Sequence, residues 1–217
     1  MIMYLQTLEK EVHRMKSIRF LILLSLVIFV LGCAKVGTHS LYLRYQPMKE
    51  FVSLQTKIGS RLGLVPFKDK RPDTLYIGVH TSRQGDPSYF KSHPFPLERA
   101  IQESLSNALS RYGVETISLS DWDGTPESLK KMETDSVLMI EIKRFWTEGK
   151  ASPFRTAVKT TVQFVIHLGV KKEGKVFIRN VEVEKEMTVA KSTPEKVEAM
   201  INQILTDIFD SYFSNPY

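Results

Sequence analysis

One thiol, a few imidazoles and a short acid–base pair are the side chains of this chain with chemistry to offer. Cys33 is the only cysteine, so no intrachain disulfide can form, and a lone thiol in an exported protein is reactive unless something consumes it. The histidines that follow it, His39, His80, His93 and His167, are scattered along the sequence. Hydrolysis needs a nucleophile, a base and an orienting group to converge, and zinc needs three or four ligands. His80 and His93, with Asp86 between them, are the one grouping a loop could bring together, and a zinc site there would need a further ligand. No Gly-rich phosphate loop, Gly-x-Ser-x-Gly elbow or Cys-x-x-Cys pair occurs. No catalytic residue, metal site or cofactor is therefore assigned, and the expectation is a protein that is not an enzyme. Asp69 and Arg71 read either as a turn closed by a local ion pair or as a ligand contact. Trp122, Phe145 and Trp146 read either as an exposed aromatic patch or as core and rim residues. Asp69, Arg71 and Trp146 are the candidate partner contacts.

Charge narrows the partners little. Lys plus Arg outnumber Asp plus Glu by 30 to 24, and by 26 to 22 after residue 32. That balance permits contact with an anionic membrane or polymer. No block of five or six like charges and no nucleic-acid module appears, so nucleic acid is excluded as an expected partner.

The position of Cys33 says what consumes its thiol. Met15 opens a stretch in which Lys16 and Arg19 precede an uncharged run from Phe20 to Leu31, ending in Gly32-Cys33. Twelve apolar residues suit the core of a signal peptide and fall short of the roughly twenty that span a bilayer. Val30-Leu31-Gly32-Cys33 resembles the lipobox of bacterial lipoproteins, with Leu31 bulkier than usual for its position. The resemblance implies cleavage between Gly32 and Cys33, then a diacylglycerol and an N-acyl chain on Cys33. An uncleaved anchor helix is the alternative. Residues 1–14 are expected to be an extension ahead of the true start, 15–32 the signal peptide, 33–57 the lipidated terminus and tether, and 58–217 a single domain. Ala34, rather than Asp, after the cysteine implies by the same resemblance the periplasmic face of the outer membrane, with the inner membrane as alternative.

Periodicity supplies the elements that would position any site. Leu41 to Tyr45 alternates briefly before Pro47 interrupts, which suggests one short edge strand within the tether. Two short strands are expected at 62–67 and 74–80, then a long polar loop from Thr81 to Phe95. Leu97, Ala100, Ile101, Leu105, Ala108, Leu109 and Tyr112 recur at helical spacing, with Pro96 at the start and Gly113 at the end. A strand at 114–119 and a brief helix opened by Thr125-Pro126-Glu127 follow. Val137 to Phe145 is the next strand. Val158, Val162, Phe164, Ile166, Leu168 and Val170 then share one face of a hairpin that turns at Lys172-Glu173-Gly174. A bulge near Arg179-Asn180 would account for the apolar positions shifting from Val176 and Ile178 to Val181 and Val183. Val197, Met200, Ile201, Ile204, Leu205, Ile208, Phe209 and Tyr212 form the stripe of a last helix, capped either by Ser192 with Glu195 or by Thr193 ahead of Pro194.

One apolar face per helix and one on the hairpin imply an α+β two-layer sandwich, with two main helices on one face of a mostly antiparallel sheet. Asp69 and Arg71 between early strands, the helix from Leu97 to Gly113 and the run from Val137 to Trp146 give an order of parts that resembles the YajG-type family of outer-membrane lipoproteins. That family implies envelope location and no settled activity. The functional expectation is a membrane-anchored binding or scaffolding module with an envelope protein, lipid or glycan partner and an open oligomeric state. The alternatives are an accessory lipoprotein of lipid or lipopolysaccharide transport, which needs a lipid-sized apolar groove, and an envelope hydrolase.

Overall fold

The structure, a computed structural model, describes residues 37–217, which form one compact unit. In chain order its elements are β1 (Thr38–Tyr42), α1 (Leu54–Ile58), β2 (Arg61–Leu64), β3 (Lys68–Asp69), β4 (Gly78–Thr81), β5 (Pro87–His93), α2 (Leu97–Leu109), β6 (Glu115–Ser118), α3 (Pro126–Leu129), β7 (Ser136–Ala151), β8 (Thr156–Val170), β9 (Lys175–Val189) and α4 (Pro194–Ser214). This is an α+β fold with a largely antiparallel sheet and helices packed against it. The long ladders β7–β8 and β8–β9 are antiparallel. The other edge of β7 is tiled by three short parallel strands: β2 near Leu138, β3 at Glu141–Ile142 and β4 at Thr147–Lys150. β6 extends the sheet beyond β2, and β5 then β1 extend it beyond β4.

Alternation decides which side chains meet. Leu138, Ile140 and Ile142 on β7, with Val162, Phe164, Ile166 and Leu168 on β8, face the layer that holds α2 and α4. All the apolar residues of the two helical stripes lie in or against that one cluster. On the opposite face, Val137 and Met139 join Trp122 and Leu129 in a smaller cluster roofed by α3. At Gly169 a Cβ would sit about 3.0 Å from both Trp122 and Leu129, so glycine is what lets that roof close on β8. Pro194 occupies the first position of α4 and Thr193 the N-cap position, without a capping bond from its side chain, which decides between the two registers.

Several expectations need correction. The segment read as a tether up to residue 57 is folded from Thr38 onward: Leu41, Leu43, Tyr45, Phe51, Leu54 and Ile58 are all buried in the main cluster. Thr81 to Phe95 is not a long loop. It contains β5, joined to β4 by a tight turn in which Ser82 Oγ accepts from the Gln84 and Asp86 N–H groups. The bulge lies in β7, not β9. Between Ile142 and Arg144 the register with β8 shifts by one residue, so Lys143 is extra and Phe145 returns to the core side. β9 pairs with β8 without interruption. Its core-side residues are Phe177, Val181, Val183 and Met187, while Val176 packs on the smaller cluster and Ile178 is 63% exposed on the outer face.

Candidate binding groove

Beyond Tyr42 the chain leaves its ladder with β5 and runs on as an extended strap, residues 43–48. Leu43 and Tyr45 point into the core, whereas Arg44, Gln46 and Met48 are exposed. An extended segment presents an N–H to one side at every second residue, and those groups must find acceptors. Here the acceptors are side chains of α4. Tyr42 N–H donates to Glu198 Oε2 (2.8 Å), Arg44 N–H to Asn202 Oδ1 (2.8 Å), Gln46 N–H to Thr206 Oγ1 (3.4 Å) and Met48 N–H to Asp210 Oδ2 (3.0 Å). Asn202 Nδ2 returns a bond to the Tyr42 carbonyl (3.1 Å), and the Thr206 hydroxyl returns one to the Gln46 carbonyl (3.3 Å).

The match is geometric. Four residues of helix rise about 6.0 Å and two of strand about 6.7 Å, so helix positions four apart keep step with strand positions two apart. Pro47 is accommodated because its missing N–H falls on the side α4 does not serve. On the other side Tyr45 N–H donates to Ser104 Oγ of α2.

The strap thus has a groove along each flank. A cavity of about 350 Å³ opens toward α2, lined by Tyr42, Arg44, His93, Glu103, Asn107 and Arg111 among others. A second, of about 470 Å³, opens toward α4 beside Arg44, Met48, Glu198 and Asn202. Arg44 borders both. In the first cavity Glu103 is held by Arg99 (2.7 Å, one helical turn away). Arg44 and Arg111 form no ion pair among the described residues, so the cavity offers two guanidinium groups and one imidazole to a ligand. Such a site suits an anionic polar group, because guanidinium pairs with carboxylate or phosphate through paired N–H bonds.

The sequence-selected residues lie elsewhere. Gly32 and Cys33, with residues 1–36, fall outside the described residues. Asp69 and Arg71 form a buried ion pair (2.7 Å) whose side chains are 6% and 4% exposed. Arg71 also donates to the carbonyls of Tyr76 (2.7 Å), Thr74 (3.3 Å) and Phe145 (3.1 Å), pinning the 70–77 connection to β7. The pair is turned inward, satisfied by its own chain. The three aromatics are dispersed: Phe145 is in the main core, Trp122 is in the smaller cluster with its indole N–H on the Thr125 carbonyl (3.3 Å), and Trp146 is half-buried on the outer face.

His80 and His93 do not meet. His80 lies opposite Ser88 in the β4–β5 ladder, while the His93 ring packs tilted against Tyr42 with centroids 4.5 Å apart. The neighbour of His80 is His39, across a space of about 70 Å³. Burial, and after it the His39 charge, pushes the His80 pKa below the ordinary histidine value. Among the described residues no group of three or more His, Cys, Asp or Glu converges. Sequence reasoning missed Glu198, Asn202, Thr206 and Asp210, whose spacing of four beside the apolar stripe of α4 was the available signal.

No family model matches the chain, and no curated protein matches it in sequence. Among solved structures it is similar to protein XCC0632 from Xanthomonas campestris, assigned to the DUF330 family model. The identity is 14%, over 82% of this chain and 92% of that one, with a TM-score of 0.54. It has more partial likenesses to the hypothetical protein CT253 from Chlamydia trachomatis (10% identity, 71% and 97% covered, TM-score 0.45) and to lipoprotein GNA1162 from Neisseria meningitidis (16%, 70% and 99%, TM-score 0.29). The likeness to XCC0632 is one of fold.

Proposed function

We propose that this chain is an envelope lipoprotein, acylated on Cys33, that acts as a binding module by receiving an acidic group of an envelope partner beside the strap. The observation that carries the binding reading is the cavity between strap and α2, where Arg44 and Arg111 stand without a carboxylate partner while Glu103 is neutralised by Arg99. The lipid anchor is supported by Lys16 and Arg19, the apolar run and Gly32-Cys33, followed within a few residues by a folded strand. On this reading the protein sits at the periplasmic face of the outer membrane, and its order of parts resembles that of the YajG-type lipoproteins. A scaffold is favoured over an enzyme because His80 and His93 are held apart, His80 beside His39 and His93 against Tyr42. The transport reading calls for a lipid-sized space between helices and sheet, and in the described residues that interface is one packed cluster.

Crosslinking and affinity purification from native membranes test this. The wild-type chain should enrich one envelope protein or polymer, and Arg44→Glu with Arg111→Glu should abolish the enrichment without changing the urea midpoint. Equal enrichment by that variant overturns the site. Turnover of an envelope polymer by the purified protein overturns the binding-module reading in favour of an enzyme.

A further inference from the structure

One end of the sheet gathers features that the groove leaves unexplained. Pairings Thr38↔Tyr89, Thr81↔Pro87, Thr81↔Lys150, Ala151↔Thr156 and Thr156↔Val189 place several elements at the same end. They are the start of β1, the β4–β5 turn, the β7–β8 turn and the end of β9 with the start of α4. Six strands at a spacing of about 4.8 Å make that row roughly 24 Å wide.

Phe154 stands at the tip of the β7–β8 turn and is 92% exposed. The turn is held shut beneath it: Ser152 N–H and Ser152 Oγ both donate to the Arg155 carbonyl, at 2.8 and 2.7 Å. Around the tip lie Arg83, Lys150, Arg155 and Lys191, all exposed, and none forms an ion pair among the described residues. Of the carboxylates at this end, Asp86 is tied to Ser82, and Glu195 in the first turn of α4 is bonded to Thr193. Several cations at the far end of the sheet are engaged by the chain. Lys57 Nζ bonds the Ser214 carbonyl, Lys171 Nζ bonds the Met132 carbonyl, and Arg61 pairs with Glu115.

Chain length fixes which end can be near the anchor. Gly37 follows Cys33 by four residues, a reach of at most about 14 Å in any conformation. β1 begins one residue later, at the end where Phe154 and the four cations lie.

We infer that this end of the domain rests on a lipid surface, with Phe154 in the interfacial apolar layer and Arg83, Lys150, Arg155 and Lys191 over anionic phospholipid headgroups. The inference rests on acylation of Cys33, the anchor of the function proposed above. An exposed aromatic ringed by unpaired cations is the composition that favours an anionic interface, through apolar burial together with attraction to its surface charge. The contact fixes the domain's orientation: β1 and the turns face lipid, while the turn at Lys171–Gly174 points away.

The test uses the full chain in native membranes after its Cys33 has been shown by mass spectrometry to carry lipid. An environment-sensitive dye is placed on Phe154→Cys and, separately, on Glu173→Cys at the opposite end. The 154 dye should emit blue-shifted and be quenched by a headgroup-proximal lipid spin label, and the 173 dye should show neither effect. Replacing Arg83, Lys150, Arg155 and Lys191 together by Gln should remove most of the 154 quenching while leaving the Cys33 lipid in place. Water-like emission at both positions in acylated protein overturns the orientation and leaves the anchor standing. So does a 154 crosslink to a protein in place of lipid quenching. Absence of lipid on Cys33 overturns the anchor and the inference with it.

Discussion

The phenolic hydroxyl of Tyr45 donates to Asp210 Oδ1 at 2.9 Å, with both residues only 4% exposed. Asp210 Oδ2 takes the Met48 N–H from the same strap, so one carboxylate closes the ladder between strap and α4 from inside and outside. Burial, reinforced by this bond to Asp210, holds the Tyr45 pKa well above the ordinary phenol value, so it remains a donor. Tyr45→Phe leaves a buried carboxylate oxygen without its donor, a loss of about 1–3 kcal/mol. Urea unfolding should show that loss in the single variant, with non-additivity when Asp210→Ala is added. Strict additivity would mean that the two groups do not interact.

Hydrogen exchange reads the ladder one rung at a time. Arg44 N–H has Asn202 Oδ1 as its acceptor, and Asn202 also donates to the Tyr42 carbonyl. Asn202→Ala should therefore speed exchange at Arg44 by roughly fivefold, the equivalent of about 1 kcal/mol for one hydrogen bond, and leave the β7–β8 amides untouched. Asn202→Asp keeps an acceptor for the Arg44 N–H but sets a second acceptor against the Tyr42 carbonyl, so its effect at Arg44 should be smaller than that of Ala. Equal protection in all three proteins would show that the strap is held by its buried side chains alone.

Much of the architecture was legible because apolar spacing reports a single buried face. The stripes of α2 and α4 and the β8 alternation correspond residue for residue to the main cluster. What escaped was structure whose partners are distant in sequence. Glu198, Asn202, Thr206 and Asp210 look like the solvated flank of a helix until a strap 156 to 162 residues earlier is laid against them. Pro47 read as a breaker because a sequence does not disclose which side of an extended segment needs its N–H groups. The β7 bulge was hidden because Val137, Leu138, Met139 and Ile140 are buried on alternating faces, leaving a continuous apolar run without parity. In β9 the exposed Ile178 imitated a shift of register. Asp69 and Arg71 were correctly seen as a pair, but only the β7 carbonyl beneath them shows that they face inward.

Arg71 gives the sharpest stability prediction. Its guanidinium is buried, forked onto Asp69 and bonded to three carbonyls, so Arg71→Met leaves Asp69 as an uncompensated buried charge. The expected loss is about 3–5 kcal/mol, and Arg71→Lys should rescue little because a point charge cannot reproduce the fork. Asp69→Asn combined with Arg71→Met should recover part of the loss. Thermal unfolding of the four proteins decides it, and a wild-type-like midpoint for Arg71→Met would show that the pair is solvated.

Stability should also fall with acid in two separate windows. His80 and His167 have pKa values lowered chiefly by burial, with Glu141 pulling that of His167 partly back. In the unfolded chain they titrate near about 6.5. Below that pH the unfolded state takes up protons that the folded state refuses, so stability is complete above about pH 6.5 and declines as pH falls toward the depressed folded values. Asp135 acts in the same sense at lower pH, because its folded pKa is also below its unfolded one. The N–H of Arg61, with that of Ser60, holds its carboxyl below the ordinary range, so its contribution is present above about pH 3.9 and is lost as pH falls through the folded value. Urea midpoints should therefore decline first between about pH 7 and 5 and again below about 4. His80→Gln with His167→Gln should flatten the first decline and spare the second, and Asp135→Asn should do the reverse. A wild-type midpoint that stays level from pH 7 to 5 would remove the histidines from the balance.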